Sequence, residues 1–440
     1  MRPTRFASNA GGMLPALCVS LLAAAPAPLL AQAKPAAAKP TPLEASVDRL
    51  AKHPAVTASF AALQTENAWT LDQQASICQI PAPPFKEQAR AAEYAKRFRE
   101  LGVQNVRIDK EGNVIGEVRG ARPGPTLMLA GHLDTVFPEG TDVRVKREGT
   151  KLIAPGIGDD CRGLAVVLAV TKQVITQKIP FSGRLLVVGN VGEEGPGNLR
   201  GMRAIFAGPL RDSINMFISI DGTGFGVTNG GVGSNRYRVH YKGPGGHSYG
   251  AFGMPNPMHA MGRAIAKIAD LEASTTPKVT FNVGIVSGGT SVNSIPFEAI
   301  MEIDLRSETA AALAEIDARL QKALREAVVE EKARWPQSKA ALTLQIDTMG
   351  LRPAGTTPDT SFIVRASLAA ARTMNVYAPL TISSTDANVP MNLRIPAVTL
   401  DGGGVGRGAH SLDESYDDRN DGYKGPQWVL LAVLGMLGVK

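Results

Sequence analysis

The 440-residue chain has only three cysteines, 5% aromatic residues and no dense block of one charge. So few cysteines exclude a disulfide-stapled miniprotein, and 44% hydrophobic residues over this length exclude a disordered or collagen-like chain. Lysine and arginine number 47 against 40 acids, a dispersed excess that includes Arg2 and Arg5. No basic cluster is interleaved with aromatics, as a groove for single strands requires, so no nucleic-acid partner is expected. Beyond the first 30 residues no apolar run reaches about 18 uninterrupted residues, the length a membrane-spanning helix needs. What is present is apolar material for two ordinary domains.

Arg2 and Arg5 precede an apolar run from Met13 to Leu30, and Ala31-Gln32-Ala33 sets small residues where an export signal is cut. Pro15, Pro26 and Pro28 interrupt the run and no stop-transfer pattern follows, which favours removal over anchoring. The expectation is a signal peptide over 1–33, cleavage near Ala33, and a periplasmic or secreted product with no stable membrane anchor. Cys18 lacks the leucine three residues earlier that a lipoprotein site uses. Residues 34–42, rich in Pro, Ala and Lys, read as a flexible tether. Cys78 and Cys161 can pair in an oxidising compartment or stay free, and their spacing does not decide between the two.

From about Leu43 the pattern alternates between helix and strand, starting with an amphipathic stretch from Glu87 to Leu101 and a strand around Asn105 to Ile108. Four apolar runs, Thr126 to Ala130, Arg184 to Val188, Asn215 to Ile220 and Ala397 to Leu400, read as buried strands of a largely parallel sheet. From Gly163 to Gln177 the spacing is helical, with Leu164, Val167, Ala169 and Val174 on the face that packs on the sheet. Residues 231–349 change rhythm to strand, helix, strand, strand, helix, strand, the split βαβ order of a ferredoxin-like unit. The expected fold is α/β: a mostly parallel sheet with flanking helices over 43–230 and 350–440, interrupted by an inserted ferredoxin-like domain over 231–349.

The strand ends of the first domain carry polar residues: His132 and Asp134, Asp159-Asp160, Glu193-Glu194, Asp221, and His410 after a glycine-rich loop. In open α/β sheets ligands bind outside the carboxyl ends of the strands, so one crevice can collect them all. Each piece alone has a plainer reading, as a surface turn, a helix cap or a solvated loop. Together they resist it, because two adjacent acids at the end of an apolar strand, twice over, are electrostatically costly without a cation. Imidazoles among carboxylates suit Zn²⁺, with Mn²⁺ or Co²⁺ as substitutes. The histidines disfavour an oxygen-only Mg²⁺ or Ca²⁺ site, and isolated cysteines disfavour structural zinc.

The series Gly131-His-Leu-Asp134, Gly158-Asp-Asp-Cys-Arg-Gly163, Gly192-Glu-Glu-Gly195, Ile220-Asp221 and Ala409-His410-Ser411, in that order, resembles the di-zinc exopeptidases and deacylases. That family includes glutamate carboxypeptidase, acetylornithine deacetylase, succinyl-diaminopimelate desuccinylase, aminoacylase and peptidase T. The resemblance covers nearly all of the chain after the tether and implies that the inserted domain serves homodimerisation. It implies that His132 and Asp221 hold one zinc, that Glu194 and His410 hold the other, and that Asp159 bridges them. Glu193 resembles the general base acting on a metal-bridging water, and Asp134 resembles the carboxylate that orients His132. His247, in Gly243-Pro-Gly-Gly-His-Ser, resembles the histidine that stabilises the oxyanion in the other subunit's site.

Asn293 resembles a substrate-contacting asparagine, and Arg352 resembles the arginine that pairs with a substrate carboxylate. The implied reaction is hydrolysis of a peptide or N-acyl amide bond in a small peptide or N-acyl amino acid. A carboxypeptidase-like enzyme is favoured, with aminopeptidase or dipeptidase and N-acyl amino acid deacylase as alternatives. The other class, a non-catalytic peptide-binding relative, has no use for an unligated base such as Glu193. Arg306, closing a strand, reads as structural; His53, His240 and His259 read as surface or packing residues. The loop Gly402 to Gly408 lacks phosphate-loop spacing and reads as a flexible approach to His410. Cys161 stands where many family members carry Lys. Turn or cap chemistry explains Thr385-Asp386-Ala387-Asn388 as well as a place near the pocket does.

Overall fold

The computed structural model describes residues 40–439, so the expected signal peptide and residues 34–39 of the expected tether lie outside the described residues. Pro42, the tether's last residue, already opens the helix Pro42–Ala51. Thr41 caps it reciprocally: its hydroxyl accepts the Glu44 N–H and the Glu44 carboxylate accepts the Thr41 N–H.

Four parallel strands form the centre of a nine-stranded sheet, in the order Ser182–Asn190, Arg122–His132, Met216–Ile220, Ala397–Leu400. These are the four apolar runs of the sequence. They are apolar throughout because both faces are covered. Leu127, Leu129, Val187 and Ile218 face the helices Cys161–Thr176 and Lys424–Leu437. Met128, Ala130, Val188 and Phe217 face the short helices Arg200–Ala207 and Asn388–Asn392. Each of these side chains larger than alanine contributes about 1.5–3 kcal/mol by leaving water. Antiparallel strands flank the parallel core, so the sheet as a whole is mixed.

The inserted segment forms a four-stranded antiparallel sheet in the order Val279–Gly288, Glu298–Ser307, Gly233–Lys242, Thr343–Arg352, with helices Pro257–Ala269 and Ala310–Ala333 on one face. Burial along Glu298–Ser307 alternates strictly: Ala299, Met301, Ile303 and Leu305 point into the core while the other face stays partly open. The last strand runs six residues past the predicted Ile346 and ends on Arg352. The two chain crossings into this segment converge on one side chain. The fully buried Asn388 amide donates to Val232 O at 2.8 Å and to Pro353 O at 2.9 Å.

The loop before His410 departs from its expected flexibility. Val405–Arg407 is a strand paired with Ser415–Asp417, which pairs in turn with Lys151–Ile153 in a small separate sheet. The third strand lies more than 250 residues from the other two, and three-residue strands leave no period to read.

Candidate metal centre

Asp159 is the middle of the site. Its Oδ1 lies 3.0 Å from His132 Nε2 and its Oδ2 lies 3.0 Å from His410 Nε2, so one carboxylate faces an imidazole on each side. On one side the ligand atoms of His132, Asp159 and Asp221 lie within 4.8 Å of one another; on the other, those of Asp159, Glu194 and His410 do. Glu194 Oε1 is 3.1 Å from His410 Nε2. The fold thus brings all five expected ligands into two groups that share Asp159. His132 ends a central strand and Asp221 directly follows its neighbour, as the carboxyl-end rule requires. His410 sits on a turn with φ 66°.

Burial works against charge on His132, yet its bond to Asp159 and the nearby Asp160 and Asp134 outweigh it and hold the ring well above the usual histidine range. His410 is pushed up to about 10, first by Asp159 and then by Glu194. Asp221 is pushed up to about 8 by burial and by repulsion from Asp159. In the metal-free chain protons therefore balance the clustered carboxylates. Cations would take over that task and release the protons, the coupling expected of a metal site. The nitrogen and oxygen donors fit two such ions.

The surrounding residues fix this arrangement. His132 Nδ1 lies 3.1 Å from the main-chain oxygen of Asp134, which can only accept, so Nδ1 carries a proton and Nε2 is the nitrogen turned to the site. The Asp134 carboxylate, at 3.7 Å from that ring, is engaged elsewhere: its two oxygens accept the N–H groups of Glu193 and Glu194. The orienting role expected of its side chain thus belongs mainly to its backbone, while the carboxylate holds the Glu-Glu loop. Asp160 is the helix cap, accepting the Gly163 N–H at 2.9 Å and the His132 N–H at 3.0 Å. Gly163 is required there, because a Cβ would lie 2.4 Å from Ile220 O.

Sequence reading missed Glu414. Its buried carboxylate accepts the N–H groups of Gly156, Gly158 and Asp159 at 2.7–3.0 Å, fixing the loop that presents the shared ligand. The available signal was an acid four residues after His410. Arg162, fully buried, donates to Gly402 O and Gly422 O and so ties down the loop leading to His410.

Glu193 adjoins the cluster, forming with His132 and Glu194 a third group of ligand atoms within 4.8 Å of one another; its carboxylate is 3.1 Å from Arg352 Nη1, and Arg352 also donates to the Glu193 main-chain oxygen and to Ser384 Oγ. The expected carboxylate-binding arginine is therefore placed on the expected base. Burial pushes Glu193 well above the usual range, and Arg352 opposes that. Asp386, fully buried, accepts from Asn190 at 2.6 Å, and its second oxygen has no hydrogen-bond partner among the described residues.

Burial raises Asp386 from 3.8 to about 6. A raised carboxyl adds stability that is complete below about pH 4 and lost as pH climbs through 6, because the folded chain holds that proton more tightly than the unfolded one. In metal-free protein, Asp386→Asn should therefore gain on the parent between pH 4 and 7 by up to about 3 kcal/mol, at about 1.4 kcal/mol per pK unit. Denaturant melts of the two chains across that range measure it, and a constant difference refutes it.

His247 and Asn293 lie together on the inserted domain. Gly246–His247 pairs with Ser294–Ile295, and Ser248 N–H donates to Asn293 O. The His247 Nδ1 accepts the N–H groups of Tyr249 and Gly250, which assigns the ring proton to Nε2 and makes that nitrogen a donor. Both residues are exposed, and neither belongs to the metal-ligand groups of the same chain. Cys78 and Cys161 are free, buried and share one small apolar cluster. His53 caps the helix Pro54–Thr65, and His240 pairs with Glu298.

A sheet with a parallel core, two groups of imidazoles and carboxylates at its strand ends that share one aspartate, a further buried acid beside them and an inserted split βαβ unit make up a candidate two-metal centre. Residues 229–332 match the peptidase dimerisation domain, and residues 113–240 match peptidase family M28. Over these segments the chain is similar to peptidases and to their dimerisation domain.

Thermostable carboxypeptidase 1 of Saccharolobus solfataricus is 22% identical over 54% of this chain and 63% of its own length. Succinyl-diaminopimelate desuccinylase of Hydrogenovibrio crunogenus is 26% identical over 46% of this chain and 60% of its own length. The chain therefore spans less than two thirds of either relative. The aminopeptidase PepT from Bacillus cereus superposes with a TM-score of 0.68 at 20% identity, covering 84% of this chain and 98% of that one, a likeness of fold. Among the described residues no helix is long and apolar enough to cross a membrane.

Proposed function

We propose that this chain is an exported di-zinc exopeptidase or deacylase that cleaves the amide bond of a small peptide or N-acyl amino acid, carboxypeptidase-like in preference. The observation that carries the reading is Asp159 shared between His132 and His410, with Glu193 buried alongside and paired to Arg352 rather than to a histidine. His132 and Asp221 would hold one zinc, Glu194 and His410 the other, and Asp159 both. Bound zinc would acidify the attacking water and polarise the scissile carbonyl. Glu193 takes the water's proton and passes it to the leaving amine. Arg352 lies one hydrogen bond from Glu193, so a carboxylate on the leaving amine comes within its reach, which supports cleavage at the carboxyl end.

Export rests on Arg2, Arg5 and the apolar run that follows them. Homodimerisation is supported by the edge strand Val279–Gly288, which leaves Ile285 and Val286 exposed. His247 would then serve as oxyanion donor to the other subunit.

The purified chain should bind about two metals, as a two-metal site requires, and should lose amide hydrolysis on dialysis against a chelator. It should cleave amino-blocked dipeptides and spare carboxyl-blocked ones. Full activity without metal would end the hydrolase reading, and the reverse blocking pattern would move the assignment to the aminopeptidase branch.

A further inference from the structure

A cleft of about 310 Å³ lies between the two parts of the molecule. Lys278, Thr280 and Arg306 line it from the inserted sheet, and Ser383 and Ser384 line it from the main one. The cations are incompletely neutralised. Glu308, which also lines the cleft, spends one carboxylate oxygen on the Lys278 backbone N–H, and among the described residues no carboxylate lies within 4.0 Å of Lys278 Nζ. Arg306 uses Nε on Asp304, whose other oxygen is taken by Arg236 Nε at 2.9 Å, so two guanidinium groups share one carboxylate. The cleft also touches the active centre. Ser384 Oγ accepts from Arg352 at 3.1 Å, and Arg352 is 3.1 Å from the Glu193 carboxylate, so two hydrogen bonds separate the cleft wall from the base.

We propose that this cleft is an anion subsite, in which Lys278 and Arg306 hold a carboxylate or similar small oxyanion against the Ser383 and Ser384 hydroxyls. The proposal rests on the hydrolase reading and narrows its substrates to those with an acidic group beyond the one at the scissile bond. It also changes the role of Arg306 from strand closure to ligand binding. Charge-assisted bonds of this kind favour the anion over its neutral isostere. The same chemistry accepts a free anion from solution, which would then act as an effector.

The test compares wild type with Lys278→Ala, an exposed position whose loss leaves the metal ligands and their supports untouched. Metal-loaded chains are assayed on amino-blocked dipeptide pairs that differ only as Glu against Gln at either position. Wild type should favour the acidic member of one pair by about five- to tenfold, and Lys278→Ala should shrink that preference below about twofold without slowing the Gln peptides. If a free anion is the occupant, glutarate should shift the KM of a Gln peptide in wild type and not in the variant.

Should no peptide turn over, calorimetry with glutarate still decides, because metal binding by glutarate is common to both chains. A dissociation constant raised about fivefold by Lys278→Ala supports the subsite. Equal Glu-over-Gln ratios and equal glutarate affinities in the two chains overturn it.

Discussion

Glu193→Gln should lower kcat by about a hundred- to ten-thousandfold while the metal content stays that of wild type, because it removes the proton acceptor and no ligand. Glutamine keeps the size of the side chain and an oxygen for Arg352, 3.1 Å away, so the ion pair becomes a hydrogen bond rather than a void. That choice separates chemistry from folding, since stripping one partner from a buried ion pair outright costs about 3–5 kcal/mol. Stopped-time assays on metal-loaded chains, with metal measured in the same samples, give the answer. Residual activity above about a tenth of wild type would remove Glu193 from the base role.

The second large effect is expected at Asp159. Asp159→Ala takes an oxygen from both ligand groups at once, so metal affinity should fall by more than the ~10–100-fold seen when only an outer partner of a ligand is lost, and turnover should vanish with it. The fold should survive, because the adjacent Asp160, and not Asp159, caps the helix Cys161–Thr176. Titration calorimetry with zinc and far-UV circular dichroism test the two halves of the statement. A variant that still takes up two ions with unchanged affinity would show that the shared carboxylate is dispensable.

The parallel core and the gathering of strand-end acids and histidines in one crevice were legible because their signals are local. A continuous apolar run such as Leu127 to Ala130 announces a strand covered on both faces, and the acid or histidine that follows it announces its carboxyl end. The split βαβ order was legible for the same reason. Glu414 was not, since what it binds is three backbone N–H groups more than 250 residues away, and nothing in its neighbourhood encodes them. Asp386 stayed open between turn chemistry and a place near the pocket, because its meaning comes from burial beside Asn190. The tie between Arg352 and Glu193 was hidden by the strand that runs on from Ile346. Asp134 was recognised as a support, but the division of labour between its backbone and its carboxylate needs coordinates to see.

Asn388 gives the molecule its mechanics. With Val232 and Pro353 tied to one amide, relative sliding of the two peptide links would break hydrogen bonds of a fully buried group. The two links therefore meet at one point, next to Arg352. Arg352 directly precedes Pro353, and Lys278 belongs to the inserted half across the cleft from Ser384. One guanidinium thus bonds both Ser384 on the cleft wall and Glu193, so the cleft and that buried carboxylate share a common strut.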